Sequence, residues 1–393
     1  MTEAPGSSPL GSSPFRWLLG GQVVSLVGSQ LFPMVLVALT VSASDQPALT
    51  MGLVMGARFA AMALFIVLGG VLADRVDRFG LLALTDAVRI AALVPIMVLD
   101  TQTPLAVLAA SSFVLGAGEA LYVPTYDAAV VSSIDRGQLA RANALTKATR
   151  GVAKVLGPPL AGIVVLGVGV RGAVIIDAVS FGLSLLTLVR LALMRLGPRP
   201  EPAHGSMWRD VLGGLRAVAG LRWLVALELM AMVHVLLVVA PWVVLLPVIS
   251  ERELGGIDSY GALLGAFAAG AIPGALLGAW VRPRRPGLVI LGGLMPFGLC
   301  CIALAWSHEL WVLIAVFFVA GAGTELTDIV KTTAIQEQVP KELLGRVFAL
   351  DFFASYVMMP LGQLATGLLI VPGTEPLALA LAGMLLLIST PLV

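Results

Sequence analysis

The sequence predicts an all-α integral membrane protein in which twelve transmembrane helices form two pseudo-symmetric six-helix bundles. Three observations predict it: an apolar composition, apolar segments long enough to cross a bilayer, and an internal repeat. Of the 393 residues, 59% are hydrophobic and 12% are charged, whereas about a quarter of the residues of a soluble domain are charged. Water is therefore not the main solvent of this chain.

Apolar segments of about 20 residues recur along the chain, and each can cross roughly 30 Å of hydrocarbon as a helix. Backbone groups in lipid must be hydrogen-bonded within the chain, which favours helices over isolated strands. The alternating pattern of a membrane β-barrel is missing. Polarity breaks place spans 1 to 6 at 15-41, 49-73, 81-99, 104-127, 143-169 and 171-195, and spans 7 to 12 at 222-248, 259-281, 287-306, 309-333, 347-370 and 374-393.

These spans predict a domain order of tail, bundle, linker and bundle. The sequence places a cytosolic tail at 1-14, the first bundle at 15-195, a cytosolic linker with an amphipathic helix at 196-221, and the second bundle at 222-393. Lys and Arg concentrate in the loops on the linker's side of the membrane, so we expect both termini in the cytosol. The residues that set this orientation are Arg75, Arg78, Arg136, Arg141, Arg199, Arg209, Arg282, Arg284, Arg285, Lys341 and Arg346.

An internal repeat supports the division into two bundles. Residues from Phe113 onward align without a gap with residues from Phe318 onward, across two spans and their loop. The matches at this constant offset include Gly116 with Gly321, Gly118 with Gly323, Arg141 with Arg346, Gly157 with Gly362 and Gly162 with Gly367. Parallel halves of this kind predict a substrate site at their interface and access by rocking.

The loop after span 2 reads GGVLADRVDR at 69-78 and resembles the signature of the major facilitator superfamily. Gly70 permits close helix approach, and Asp74 is suited to the positive N-terminus of a helix in the other half. We expect a conformational latch formed by Gly70, Asp74, Arg75, Arg78 and Asp127, with Arg78 as a donor to Asp127. The alternative is a solvated loop that only sets orientation.

Span 5 contains Gly157, Pro158 and Gly162, which resemble the antiporter motif of exporters in that superfamily. Ile163 departs from the fuller pattern, and ordinary helix packing is the alternative. Segments at 22-29, 141-145 and 339-348 resemble the bacterial branch that contains the enterobactin exporter and macrolide efflux proteins. The resemblance implies a multi-pass protein of the bacterial inner membrane that exports a drug, siderophore or secondary metabolite. Gln30 stands where many of those relatives have an acidic residue.

Ionisable side chains inside spans are costly, so they pair or line a cavity. Glu119 on span 4 is a candidate proton site, with Arg150 or Lys154 of span 5 as its expected partner. Asp328 and Glu325 on span 10 are further candidates. The alternative for Asp328 is a gate salt bridge to Lys331 or Arg346.

Several polar residues are candidates for the substrate cavity. They are Gln22, Ser25, Ser29, Arg58, Tyr122, Tyr126 and His234. The serines and Gln22 are equally suited to joining helices. No histidine cluster or ATP-binding loop occurs, so we expect no metal, no cofactor and no enzyme activity.

We expect a monomeric secondary transporter that exports a hydrophobic or amphipathic small molecule in exchange for protons. Its partners are the substrate, protons and the lipid bilayer, and the chain lacks the clustered basic surface of a nucleic-acid binder. A transporter of lipid or lysolipid with the same fold is one alternative. A non-transporting membrane sensor is the second.

Overall fold

The computed structural model describes residues 8-41, 44-135, 138-194, 219-281, 283-339 and 344-392. Their regular secondary structure is helical, and each of the twelve predicted spans falls on a helix or a pair of short helices. Spans 1 to 6 are formed by Ser13–Ser29 with Leu31–Thr40, Pro47–Arg75, Arg78–Leu99, Leu105–Ser133, and the continuous Leu139–Leu193, which holds spans 5 and 6. Spans 7 to 12 are formed by Arg222–His234 with Ala240–Glu253, Ile257–Trp280, Pro286–Trp306, Leu310–Gln338, Leu344–Val357 with Met359–Leu369, and Glu375–Ser389.

Counting helices by length and apolarity gives fewer membrane spans than the twelve predicted from the sequence, because of how individual helices merge or break. Among the described residues, nine helices are long and apolar enough to cross a membrane. One of them contains two spans, because Gly169 takes φ 73° and ψ 178° between spans 5 and 6. Span 11 is interrupted at Met358, and the helix of span 12 has 15 residues. The predicted tail at 1-14 and the linker at 196-221 lie largely outside the described residues.

The chain divides into two compact units. The first contains Met1–Leu39 and Ala57–Ala203, and the second contains Thr40–Gly56 and His204–Val393. The first part of span 2 is grouped with the second unit because Gly52 and Gly56 pack against Gln363 and Leu364 of span 11.

Each unit has an apolar core of its own. In the first unit, residues of spans 1, 3, 4 and 6 pack together, among them Phe15, Leu82, Tyr126 and Leu188. In the second unit, Leu227 and Met230 of span 7 pack against Ile290 of span 9 and Val330 of span 10. The helices of each unit are therefore fixed by buried apolar side chains as well as by the lipid around them.

Matched glycine contacts show the internal repeat in three dimensions. A Cβ at Gly116 would collide with the carbonyl oxygen of Arg58, where span 4 crosses span 2. A Cβ at Gly321 would collide in the same way with the carbonyl oxygen of Phe267, where span 10 crosses span 8. The two glycines that align in the sequence thus make the same close helix crossing, one in each unit.

Candidate functional site: buried charge clusters in each half

The first cluster joins spans 2 and 4 of the first unit. Arg58 Nη2 lies 2.8 Å from Glu119 Oε2, and the Arg58 guanidinium lies 5.9 Å from the centre of the Phe32 ring. The expected partners of Glu119, Arg150 and Lys154, were therefore not the ones that bind it. The helix crossing at Gly116 explains the difference, because it brings Arg58 to within one turn of Glu119.

Arg150 of span 5 instead binds Asp127 of span 4. Its Nη2 atom lies 2.8 Å from Asp127 Oδ1, and its guanidinium lies 5.4 Å from the centre of the Tyr126 ring. The Tyr126 ring in turn stacks on Tyr122 at a centroid distance of 5.8 Å. The predicted substrate-cavity tyrosines are thus buried in contact with each other.

The predicted latch is only partly described. Asp127 accepts a hydrogen bond from Arg150. Arg78 Nη1 donates to the carbonyl oxygen of the next residue, Ala128, at 3.4 Å. The side chains of Gly70, Asp74 and Arg75 lie outside the described residues. The latch therefore stays a prediction.

A buried polar strip connects spans 3, 4 and 6. Arg89 lies 3.4 Å from Asp86 on its own helix, as the spacing predicts, and its guanidinium lies 4.7 Å from the centre of the Tyr122 ring. Asp177 on span 6 is 1% exposed, so it is buried between helices rather than facing an open cavity. Gly28 explains this burial, because it allows span 1 to lie directly against Asp177 and Ser180.

The second unit contains a cluster that joins spans 7, 10 and 11. Lys331 Nζ lies 3.1 Å from Glu228 Oε1 and also contacts Asp351 Oδ1. The three side chains are 13%, 12% and 23% exposed, respectively. The sequence pointed to Lys331 as a partner for Asp328 and to neither carboxylate of this cluster.

The described part of this cluster holds two carboxylates and one ammonium. All three groups lie inside the membrane-spanning region, where an ionised group is costly unless it is paired. The contacts of Lys331 with Glu228 and Asp351 therefore form an ionic network that joins spans 7, 10 and 11 within the second unit.

The remaining candidates lie in varied surroundings. Asp328 is exposed at the surface of span 10 and Glu325 is half-buried. His234 Nε2 lies 2.7 Å from the Ser389 hydroxyl of span 12, which makes a packed polar contact. Among the described residues, no group of His, Cys, Asp and Glu side chains is arranged to hold a metal ion.

Candidates on spans 1 and 5 take part in helix packing. Gln22 and Ser25 are buried, and Ser29 donates to the carbonyl oxygen of Ser25 at 2.6 Å. A Cβ at Gly157 would collide with the side chain of Gln30, so the antiporter-like segment lies directly against span 1. Packing is thus an observed role of Gly157.

The comparison with known proteins assigns this architecture to a family. The chain matches the Major Facilitator Superfamily over residues 18–363. It belongs to this family. The superfamily consists of membrane transporters rather than enzymes, so the chain is a multi-pass membrane transporter.

Relatives and solved structures agree with this assignment. Macrolide efflux protein A of Streptococcus pyogenes is 24% identical over 361 residues, which cover 90% of this chain and 88% of that protein. The enterobactin exporter EntS of Shigella flexneri is 27% identical over 299 residues, covering 73% and 68%. The crystal structure of a bacterial homologue of the iron transporter ferroportin covers 96% of this chain, with 97% of its own length matched, at a TM-score of 0.75 and 15% identity. That likeness shows the shared fold.

Proposed function

We propose that this chain exports a hydrophobic or amphipathic small molecule across the bacterial inner membrane in exchange for protons. The names of its relatives, a macrolide efflux protein and an enterobactin exporter, support outward transport of a bulky organic molecule. The proposal includes alternating access by the two halves of the chain. It also includes termini in the cytosol and a monomeric protein. A drug, siderophore or secondary metabolite fits the cargo class.

The observation that carries proton exchange is the cluster of Glu228, Lys331 and Asp351. We assign the proton to Glu228, a carboxyl group of span 7 that shares the Lys331 ammonium with Asp351 inside the membrane-spanning region. A change in the packing of spans 7, 10 and 11 alters the separation of these groups and therefore the affinity for the proton. This links proton uptake and release to movement of the helices.

The first unit supplies the polar surface that we assign to the substrate. Gln22, Tyr122 and Tyr126 are buried polar side chains of spans 1 and 4. We assign them to contact with the substrate when the helices around them move. Arg58 and Glu119 neutralise each other, and we therefore assign them to orienting the helices around the substrate rather than to carrying the proton.

Transport into proteoliposomes tests the proposal. A radiolabelled macrolide and enterobactin are presented with and without an imposed pH gradient, and counterflow exchange is measured without one. We expect the gradient to drive accumulation by the wild type. The variants Glu228→Gln and Asp351→Asn each remove one carboxylate of the cluster, so each is expected to retain exchange but to lose the response to the gradient.

Two matched variants separate this site from the candidates found in the sequence. Glu119→Gln and Asp328→Asn remove one carboxylate each outside the cluster, and we expect both to keep the response to the gradient. Glu119→Gln is expected to lower the total amount transported, because it removes the partner of Arg58. Wild-type transport that ignores the gradient would disprove proton exchange. If neither probe is transported, the proposed cargo class is wrong.

A further inference from the structure

The second unit has an apolar groove at one end of spans 7, 9 and 10. It has a volume of about 220 Å³ and is open along part of its length. Its walls are formed by Trp223 and Leu227 of span 7, Gly287 and Ile290 of span 9, and Ala334 of span 10. The volume is below the roughly 300–1,000 Å³ of pockets that enclose drug-sized ligands. A slender apolar group suits this space better than a bulky substrate.

The wall at the open end is held in place by a polar contact. Trp223 Nε1 donates to Gln338 Oε1 at 2.8 Å, which joins the start of span 7 to the end of span 10. Tryptophan with its N–H at the polar end and its ring on the apolar side is typical of the membrane interface. The groove therefore runs from the headgroup level toward the hydrocarbon.

Three arginines lie beside this end of the groove. Arg222 precedes Trp223, and Arg284 and Arg285 precede Pro286, whose ring also lines the groove. All three side chains are exposed, and none has a carboxylate partner among the residues that the structure describes. A positive rim above an apolar groove is complementary to a negatively charged headgroup above an acyl chain.

We propose that this groove binds one anionic phospholipid of the surrounding membrane. The phosphate lies against Arg222, Arg284 and Arg285, and an acyl chain lies along Leu227, Gly287 and Ile290. Basic clusters next to spans favour anionic lipid by about 1 kcal/mol per Lys or Arg. The site is separate from the buried cluster of Glu228, Lys331 and Asp351.

Native mass spectrometry of the purified full chain tests the site, with dioleoylphosphatidylglycerol and dioleoylphosphatidylcholine as probes. We expect the wild type to retain phosphatidylglycerol more tightly than phosphatidylcholine. The variant Arg284→Gln/Arg285→Gln is expected to bind phosphatidylglycerol roughly 30-fold more weakly. Inorganic phosphate alone should not displace the lipid, since it has no acyl chain.

A matched pair of glycine variants tests the groove itself. Neither Gly287 nor Gly292 has an atom within 4 Å of an added Cβ, so a side chain can be introduced at both positions of the same helix without a clash at Cβ. Gly287→Leu fills the groove and is expected to lose phosphatidylglycerol binding with all three arginines intact. Gly292→Leu lies outside the groove and should bind as the wild type does.

Each result decides part of the proposal. Equal phosphatidylglycerol binding by Gly287→Leu and Gly292→Leu would overturn it, because the groove would then hold no acyl chain. Unchanged binding after loss of Arg284 and Arg285 would also overturn it. Size-exclusion profiles of the variants that match the wild type show that the differences do not come from misfolding.

Discussion

The two halves of this transporter keep the same helix crossings but place different charges on them. Lys331 and Asp351 of the second half stand in register with Tyr126 and Thr146 of the first. Both pairs are in contact across their two helices, since Thr146 lies beside the Tyr126 hydroxyl as Asp351 lies beside Lys331. One half therefore carries a neutral pair where the other carries an ionic one.

At the glycine crossings, the first half carries the ion pair and the second half carries an aromatic contact. Arg58, whose carbonyl faces Gly116, forms an ion pair with Glu119. Its counterpart Phe267, whose carbonyl faces Gly321, packs against the ring of Trp242 at a centroid distance of 5.7 Å. Helix packing has thus been retained in both halves, while the ionisable groups have diverged. A charge found in only one half is a better candidate for a specific function than a contact found in both.

The largest expected effect comes from removing the ammonium of the second half. Lys331→Met removes the ammonium that Glu228 and Asp351 share. Loss of one partner from a buried ionic group costs about 3–5 kcal/mol. We expect a large fall in the thermal unfolding midpoint in detergent, together with loss of transport.

The matched change in the first half is Tyr126→Phe. It removes one buried hydroxyl from the equivalent position and leaves no charge behind, so we expect at most about 1 kcal/mol. A second variant, Lys331→Met/Asp351→Asn, should recover part of the lost stability. Similar losses for Lys331→Met and Tyr126→Phe would show that the ionic cluster does not distinguish the two halves.

The sequence predicted the fold well because its signals are local or periodic. Span length and the constant offset between Gly116 and Gly321 are both visible without a structure. The ion pairs were not predictable in the same way, because they depend on which helices touch. Glu119 was expected to pair with span 5, yet span 2 lies against it.

The sequence contains one indication that Asp351 is unusual. It is an acidic residue inside span 11, in register with Thr146 of the other half. Glu228 has no such signal, since its role depends on contact with residues more than 100 positions away. Comparison of the two halves position by position finds Lys331 and Asp351, whereas only the structure adds Glu228.

Glycine substitutions test whether the shared crossings are equally important. Gly116→Ala and Gly321→Ala each place a methyl group against a backbone carbonyl of the neighbouring helix. Because backbone cannot move aside as a side chain can, we expect each to cost about 1–3 kcal/mol. Thermal unfolding of the purified variants measures this loss.

The control for these substitutions is Gly151→Ala on span 5, where an added Cβ has no atom within 4 Å. Alanine there is expected to be neutral or to stabilise by about 0.5–1 kcal/mol, since it restricts the unfolded chain. A loss at only one of Gly116 and Gly321 would mean that the crossings are not equivalent, despite their matched geometry.

The smallest expected differences concern ion pairs near the ends of the spans. In the second half, Arg252 Nη1 lies 2.6 Å from Glu375 Oε1, and Glu375 Oε2 also accepts the Gly373 N–H. The Glu375 side chain is only 4% exposed, so Arg252→Ala leaves a buried carboxylate with backbone contacts alone. We expect a cost of about 1–2 kcal/mol in thermal unfolding.

An ion pair near the ends of two spans in the first half is looser. Arg171 Nε lies 3.8 Å from Asp100 Oδ2, and the two side chains are 54% and 33% exposed. Exposed pairs of this kind contribute about 0–1 kcal/mol, so Arg171→Ala should lower the unfolding midpoint less than Arg252→Ala does. If high salt reduces the cost of both substitutions equally, the Glu375 carboxylate is as accessible to solvent as Asp100. The difference between the halves would then be confined to the membrane-spanning cluster around Lys331.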